Sequence, residues 1–213
     1  FENFLSKNTK LVSVSHISNT LGTINPVEEI IEKAQAVGAK VMIDGAQAAS
    51  HISLNMQSLG ADFYCFSAHK LYGPTGVGIL YGKENILKEL PAYQGGGEMI
   101  KEVSFKKTTY AEIPHKFEAG TPNIAGVVAF KAAIKFITDI GLHNIAKHEG
   151  VLLQYATKEV LKIEGLKIYG TAKNKSAIIS FNINKLHPYD IGVIVDKMGI
   201  AIRTGHHCTQ PIM

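Results

Sequence analysis

Three short apolar runs between Leu11 and Ser67, set off by a segment of helical period and by loops, limit this chain to few architectures. Leu11–Ser15 reads as a strand. Pro26 fits the first turn of a helix, with Asn25 as its N-cap. Val27, Ile30, Ile31, Ala34 and Val37 then recur at helical spacing, and Gly38 ends the run. Lys40–Asp44 is a second strand, Asp62–Ser67 a third and Val77–Tyr81 a fourth. Strand, helix, strand, helix-like turn, strand is the grammar of an α/β fold, with a sheet that is parallel at least in part.

The rest of the chain changes texture. Ile86–Leu90 predicts a short helix, and residues 98–117 are polar and β-branched, a loop or short hairpin. From Ile124 the pattern is helical through Val127, Val128, Phe130, Ala133, Ile134 and Ile137. Gly141 breaks it, and a second long helix runs to Ile163. Strands follow at Leu166–Tyr169 and Ala177–Asn182, a helix at Tyr189–Met198 after Pro188, and a last strand at Ile200–Arg203. The expected division is 1–140, part of a large domain, and 141–213, part of a smaller α+β domain.

Composition narrows the function. Hydrophobic residues make up 46% of 213, enough for a sizeable core. The net charge of +4 is spread thinly, without a block of like charges, so nucleic acid is not an expected partner. No apolar run is long enough to span a bilayer, and no membrane partner is expected. Two cysteines, Cys65 and Cys208, make no disulfide framework, which fits a reducing cytoplasm. The chain begins at Phe1 rather than Met and is expected to be a piece of something longer.

The chemistry-bearing residues gather where strands end. Lys70 follows the third strand, in Ser67-Ala68-His69-Lys70, ahead of the turn Gly73-Pro74-Thr75-Gly76. Such sheets bind ligands beyond the carboxyl ends of their strands. A lysine amine there can condense with an aldehyde. Asp44 ends the preceding strand, 26 positions earlier, far enough for a parallel crossover. A pyridoxal 5′-phosphate site needs such a pair, the lysine for the aldimine and the acid for the pyridinium nitrogen. A charge pair at ~4 Å and an effective dielectric of ~20 gains about 4 kcal/mol before desolvation is subtracted. Gln47 could donate to the ring's phenolate oxygen, Ser67 and His69 to a phosphate, and Asn19 can reach the same crevice. Thr121, between Gly120 and Pro122, is a further phosphate candidate. Each of these, taken singly, is more often a satisfied loop residue, and it is their shared position at strand ends that favours a site.

Near the carboxyl end stands Arg203-Thr204-Gly205-His206-His207-Cys208, with Pro211 beyond. Gly205 permits a sharp turn. Two imidazoles and a guanidinium could favour thiolate over thiol or shuttle its proton. Zinc is the alternative, but three adjacent ligands suit a tetrahedral ion poorly and no CxxC accompanies them, so no metal is expected. A buried, inert Cys208 is the other alternative. Cys65 sits inside an apolar strand and reads as core.

Four stretches carry a resemblance: Asp44-Gly45-Ala46-Gln47, Phe66–Gly76, Phe117–Asn123 and Arg203–Cys208. Together they resemble a group II cysteine desulfurase or selenocysteine lyase of the SufS type, in the class-V, fold-type-I pyridoxal phosphate enzymes. The resemblance implies an α/β fold containing the C-terminal part of the large domain and most of the small one. It implies that Lys70 carries the cofactor as the aldimine, that Asp44 pairs with the ring nitrogen and that Gln47 bonds O3′, with Asn19 near the same edge. Ser67 and His69 would hold the phosphate, with His69 also counted among the catalytic residues. Thr121 would reach the phosphate of the partner subunit's cofactor in a homodimer. Cys208 would take sulfur from L-cysteine as a persulfide, leaving L-alanine, and pass it to an acceptor protein for iron–sulfur cluster assembly. L-selenocysteine is an alternative substrate. Family members run well beyond this length at both ends, so the piece alone is expected to be inactive. The rival readings are another class-V lyase or aminotransferase, which needs no Cys208, and a non-catalytic scaffold.

Overall fold

Parallel pairing of the first three strands sets the frame of the molecule. In a computed structural model describing residues 1–212, β1 (Leu11–Ser15), β2 (Lys40–Asp44), β3 (Phe63–Ser67) and β4 (Gly78–Gly82) form one sheet in that order. Ser15 pairs with Asp44, and Asp44 with Cys65, so β1, β2 and β3 end at the same edge. Strand β4 runs antiparallel to β3. Only residues 68–77 join them, too few for the crossover that a parallel neighbour requires.

Helix α1 (Val27–Ala36) crosses from β1 to β2 and buries Val27, Ile31 and Ala34 against Val41, Ile43 and Tyr64. Complete burial of a valine or isoleucine side chain contributes about 1.5–3 kcal/mol, and Val41 and Ile43 are fully buried. The helix carries Glu28 and Glu29 in its first turn and Lys33 in its last, which suits its dipole. Asn25 does not cap it. Pro26 holds the N-cap position, while the Asn25 side chain donates to the Ser15 carbonyl at 2.7 Å and so secures the end of β1. At the opposite edge of the sheet, the buried Asp62 carboxylate accepts from Lys83 Nζ at 3.0 Å and from the Val41 amide at 2.8 Å. Burial opposes its charge, but these bonds outweigh it and hold the carboxyl below its usual range.

A second cluster joins α4 (Ile124–Ile140), through Phe130, Ala133 and Ile137, to Ala49, Ala68 and Leu71. Asn123 caps this helix by accepting from the Gly126 amide at 3.0 Å. Gly141, at φ +85°, ends it, and α5 (Leu142–Val160) follows directly. In chain order α2 (Met56–Leu59) falls between β2 and β3, and between β4 and α4 come α3 (Glu84–Glu89) and a hairpin of β5 (Ile100–Val103) and β6 (Thr108–Tyr110). Beyond α5 come the antiparallel pair β7 (Leu166–Tyr169) and β8 (Ser180–Ile183) and helix α6 (Pro188–Asp196).

Two expectations need correction. The strand expected at Ala177–Asn182 is β8 and begins only at Ser180, because the Ile178 amide turns back to the Ser176 carbonyl just before it. Residues 200–203 form no strand. They lie exposed, without a ladder partner among the described residues, and the Ile200 amide is tied back to the Val195 carbonyl.

Helix α4 exposes Ile124, Val127, Val128, Ile134 and Phe136, and α5 exposes Val151, Leu152 and Tyr155. Apolar surface of this extent drives association. The 213-residue chain, produced alone, is therefore expected to elute from size-exclusion columns above the monomer position. A concentration-independent monomer would contradict this.

Candidate active site

The carboxyl-terminal edge of the sheet gathers most of the expected site residues. Asp44 is the last residue of β2 and is exposed. Its Oδ1 accepts from the Ala46 amide at 2.8 Å, which fixes the carboxylate's direction and leaves its other oxygen available. Gly45 follows where no side chain fits, since a Cβ there would stand 2.0 Å from the Tyr64 ring. Ser67 ends β3, and its hydroxyl lies 2.8 Å from His69 Nδ1. His69 and Lys70 occupy the short 3₁₀ turn Ala68–Leu71 and are both exposed. That turn's apolar residues, Ala68 and Leu71, are buried against α4, so the packing beneath turns the two basic side chains outward.

Beneath Asp44, His16 Nδ1 lies 3.0 Å from the Tyr64 hydroxyl, with both side chains buried. Burial, and then the charge of Asp44, push the Tyr64 phenol well above its usual value, so its proton stays available for that contact. Burial likewise lowers His16, against a weaker opposing influence from Glu28.

Gln47 was expected at this edge, but its neighbours were not evident from the sequence. Its Nε2 lies 3.5 Å from His51 Nε2, and His51 Nδ1 faces both carboxylate oxygens of Glu149 at 2.9 Å. Nδ1–H donates to that carboxylate, which turns Nε2 toward the Gln47 amide. Glu149 lies on α5, 98 residues away, and nothing local in the sequence signals the pairing.

Asn19 departs from the expected pattern in part. It stands in the loop after β1, near the strand-end edge, but its Nδ2 donates at 2.7 Å to the carbonyl of His207. It thereby joins the Cys208 segment to the sheet edge. Cys208 is exposed, and His207 and Cys208 both take left-handed backbone conformations, at φ 51° and 63°. Cys65 is different in kind. It is partly buried within β3, and burial, followed by the Asp44 charge, raises its thiol, which disfavours the nucleophilic thiolate. Thr121 lies exposed in the turn ahead of α4, outside the hydrogen bonds that link the other residues. No cluster of three or more His, Cys, Asp or Glu suited to a metal occurs among the described residues.

A lysine, an acid and a hydroxyl–imidazole pair thus stand at one strand-end edge of an α/β sheet. The aminotransferase class-V profile matches residues 1–213, and the chain belongs to that family. A cysteine desulfurase of Dickeya dadantii (strain 3937) is 48% identical over 210 residues, covering 98% of this chain and 51% of that relative. The apo cysteine desulfurase of Thermococcus onnurineus NA1 superposes with a TM-score of 0.92 at 40% identity, over 97% of this chain and 52% of the other. The cysteine desulfurase CsdA of Escherichia coli gives 0.92 at 35%, over 98% and 52%. The chain thus spans about half the length of the curated relatives it matches.

The buried His16 carries a pH dependence. Its folded pKa lies below the ordinary imidazole value near 6.5, so between the two values the unfolded chain binds more protons. Its contribution to stability is therefore present above that value and is lost as pH falls through it toward the folded pKa. Thermal midpoints of the full-length protein between pH 8 and pH 5.5 should fall more steeply for the parent than for His16→Asn. Equal slopes would remove His16 from this account.

Proposed function

We propose that the protein to which this chain belongs is a pyridoxal 5′-phosphate-dependent group II cysteine desulfurase, converting L-cysteine to L-alanine and carrying the sulfur as a persulfide on Cys208. The observation that carries the reading is the Asn19–His207 hydrogen bond. It ties an exposed cysteine to the strand-end edge bearing Asp44, Ser67 and Lys70. A lyase or aminotransferase of the same fold has no use for a thiol held there.

The residues fit the cofactor. Asp44 has one oxygen fixed by the Ala46 amide and another left for a ring nitrogen, where it would hold a proton. Ser67 and His69, already bonded to each other, would hold the phosphate, and Gln47 would donate to the ring oxygen. Thr121 would reach the phosphate bound by the partner subunit of a homodimer. Bound there, pyridoxal phosphate supplies an electron sink for charge developing at the substrate's α-carbon. Lys70 would hold the cofactor, and its amine would take and return the substrate's α-proton. His69 stands beside it as a proton-holding group. The Cys208 thiolate attacks the substrate sulfur, so a sulfur–sulfur bond forms while the carbon–sulfur bond breaks. The carbon that loses sulfur gains a proton and leaves as alanine, so atoms balance without an external oxidant or reductant. The outer sulfur of the persulfide then passes to a thiol of an acceptor protein, which leaves the Cys208 thiol free again, for iron–sulfur cluster assembly in the cytoplasm. Residues 1–140 belong to the cofactor-binding large domain in this reading, and residues 141–213 to the small one.

Brief exposure of the full-length enzyme to cysteine, followed by alkylation and mass mapping, tests the proposal. Persulfide is expected on Cys208 and not on Cys65. Cys208→Ala should keep the cofactor spectrum and lose persulfide transfer, whereas Cys65→Ala should keep sulfur chemistry. Persulfide on Cys65, or undiminished sulfide release from Cys208→Ala with an acceptor present, would favour a lyase that needs no cysteine.

A further inference from the structure

Beside the Asn19 bond lies a second connection between the loop after β1 and the turn that holds Cys208. Thr20 is 1% exposed, and its Oγ1 lies 3.0 Å from Thr209 Oγ1. Thr209 sends its own hydroxyl proton to the His206 carbonyl at 2.9 Å, and its amide donates to the same oxygen at 2.8 Å. The Thr209 oxygen is therefore the acceptor toward Thr20, and the bonds run in one direction, from Thr20 to Thr209 to His206. The nearby His207 carbonyl, 3.5 Å from Thr20 Oγ1, is served by Asn19 at 2.7 Å.

Thr20 is itself held. Its carbonyl accepts from the Ser180 hydroxyl at the start of β8. The adjoining Leu21 carbonyl accepts from Lys175 Nζ at 2.6 Å, and the Gly22 carbonyl from the Ser176 amide at 2.8 Å. The loop that meets the cysteine turn thus continues from β1 and is fixed from the β7–β8 side. The turn needs such support. Neither His207 nor Cys208 is a glycine, yet both sit in the left-handed region, which side chains with a Cβ disfavour.

We infer that the Thr20–Thr209 hydroxyl pair is a latch that holds the Cys208 turn in its strained conformation and so determines where the sulfur-accepting thiol stands. The inference rests on the proposed desulfurase reading for its consequence, but not for its geometry. Thr20 and Thr209 are positioning residues, acting through the backbone of His206 and His207. Valine has nearly the shape of threonine, so a valine at either position fills the same space and breaks the bond. The turn then relaxes toward ordinary backbone angles, and the thiol leaves its place at the sheet edge. Misplacement of a reacting atom by about 1 Å can cost up to ~100-fold in rate.

The test uses full-length enzyme carrying Thr20→Val, Thr209→Val, both together, and Thr209→Ser. Single-turnover persulfide formation on Cys208 should fall roughly tenfold or more in each valine variant. The double variant should be no worse than either single, because one interaction is lost once. Thr209→Ser keeps the hydroxyl and should recover most of the rate. Cofactor absorbance and occupancy should match the parent throughout, a pattern that general destabilisation would not give. Parental persulfide rates in the valine variants, additive losses in the double, or cofactor loss parallel to rate loss would each overturn the latch. Alkylation of resting Cys208 by iodoacetamide separates this inference from the function beneath it. Faster alkylation in the valine variants supports the latch even in an enzyme that forms no persulfide, and an unchanged rate rejects it.

Discussion

Parallel registration of β1, β2 and β3 is the constraint on which the site depends. Ser15, Asp44 and Cys65 stand abreast in the ladder, so the residues just beyond them share one edge. A one-residue slip in a strand would turn its side chains to the other face. Tyr64 and Ile43, wholly buried beneath α1, resist such a slip with their packing. At the far edge, Asp62, Lys83 and the Val41 amide close the sheet with hydrogen bonds. The exposed polar groups Asp44, His69 and Lys70 gather at the other end of the strands.

Chain economy then decides which side chains point outward. In the turn after β3, Ala68 and Leu71 go into the core and His69 and Lys70 go to solvent. The same division separates the two thiols. Cys65 belongs to the strand, where burial keeps it protonated, and Cys208 belongs to an exposed turn held by hydrogen bonds rather than by packing. The proposed sulfur chemistry draws on that contrast.

Much of this was legible in the sequence, for a physical reason. The strand–helix alternation and the helix that starts at Ile124 rest on local periodicity. The Lys70 and Cys208 motifs are contiguous stretches. What was not legible depends on partners remote in sequence. Asn25 has the right chemistry for an N-cap, but the Ser15 carbonyl claims its side chain. Residues 200–203 have strand composition and, among the described residues, no strand beside them. Asn19 and His207 are 188 residues apart, Thr20 and Thr209 189, and His51 and Glu149 98. No local spacing announces such pairs, and only the fold brings them together.

In the proposed reading the strand-end edge is a cofactor site built on one lysine, Lys70, which stands exposed over the buried Ala68 and Leu71 and next to His69. Borohydride reduction of the cofactor-loaded full-length protein, followed by peptide mapping, tests it directly. The cofactor mass is expected on the peptide containing Lys70 and on no other. Label on a different lysine, with Lys70 unmodified, would contradict it.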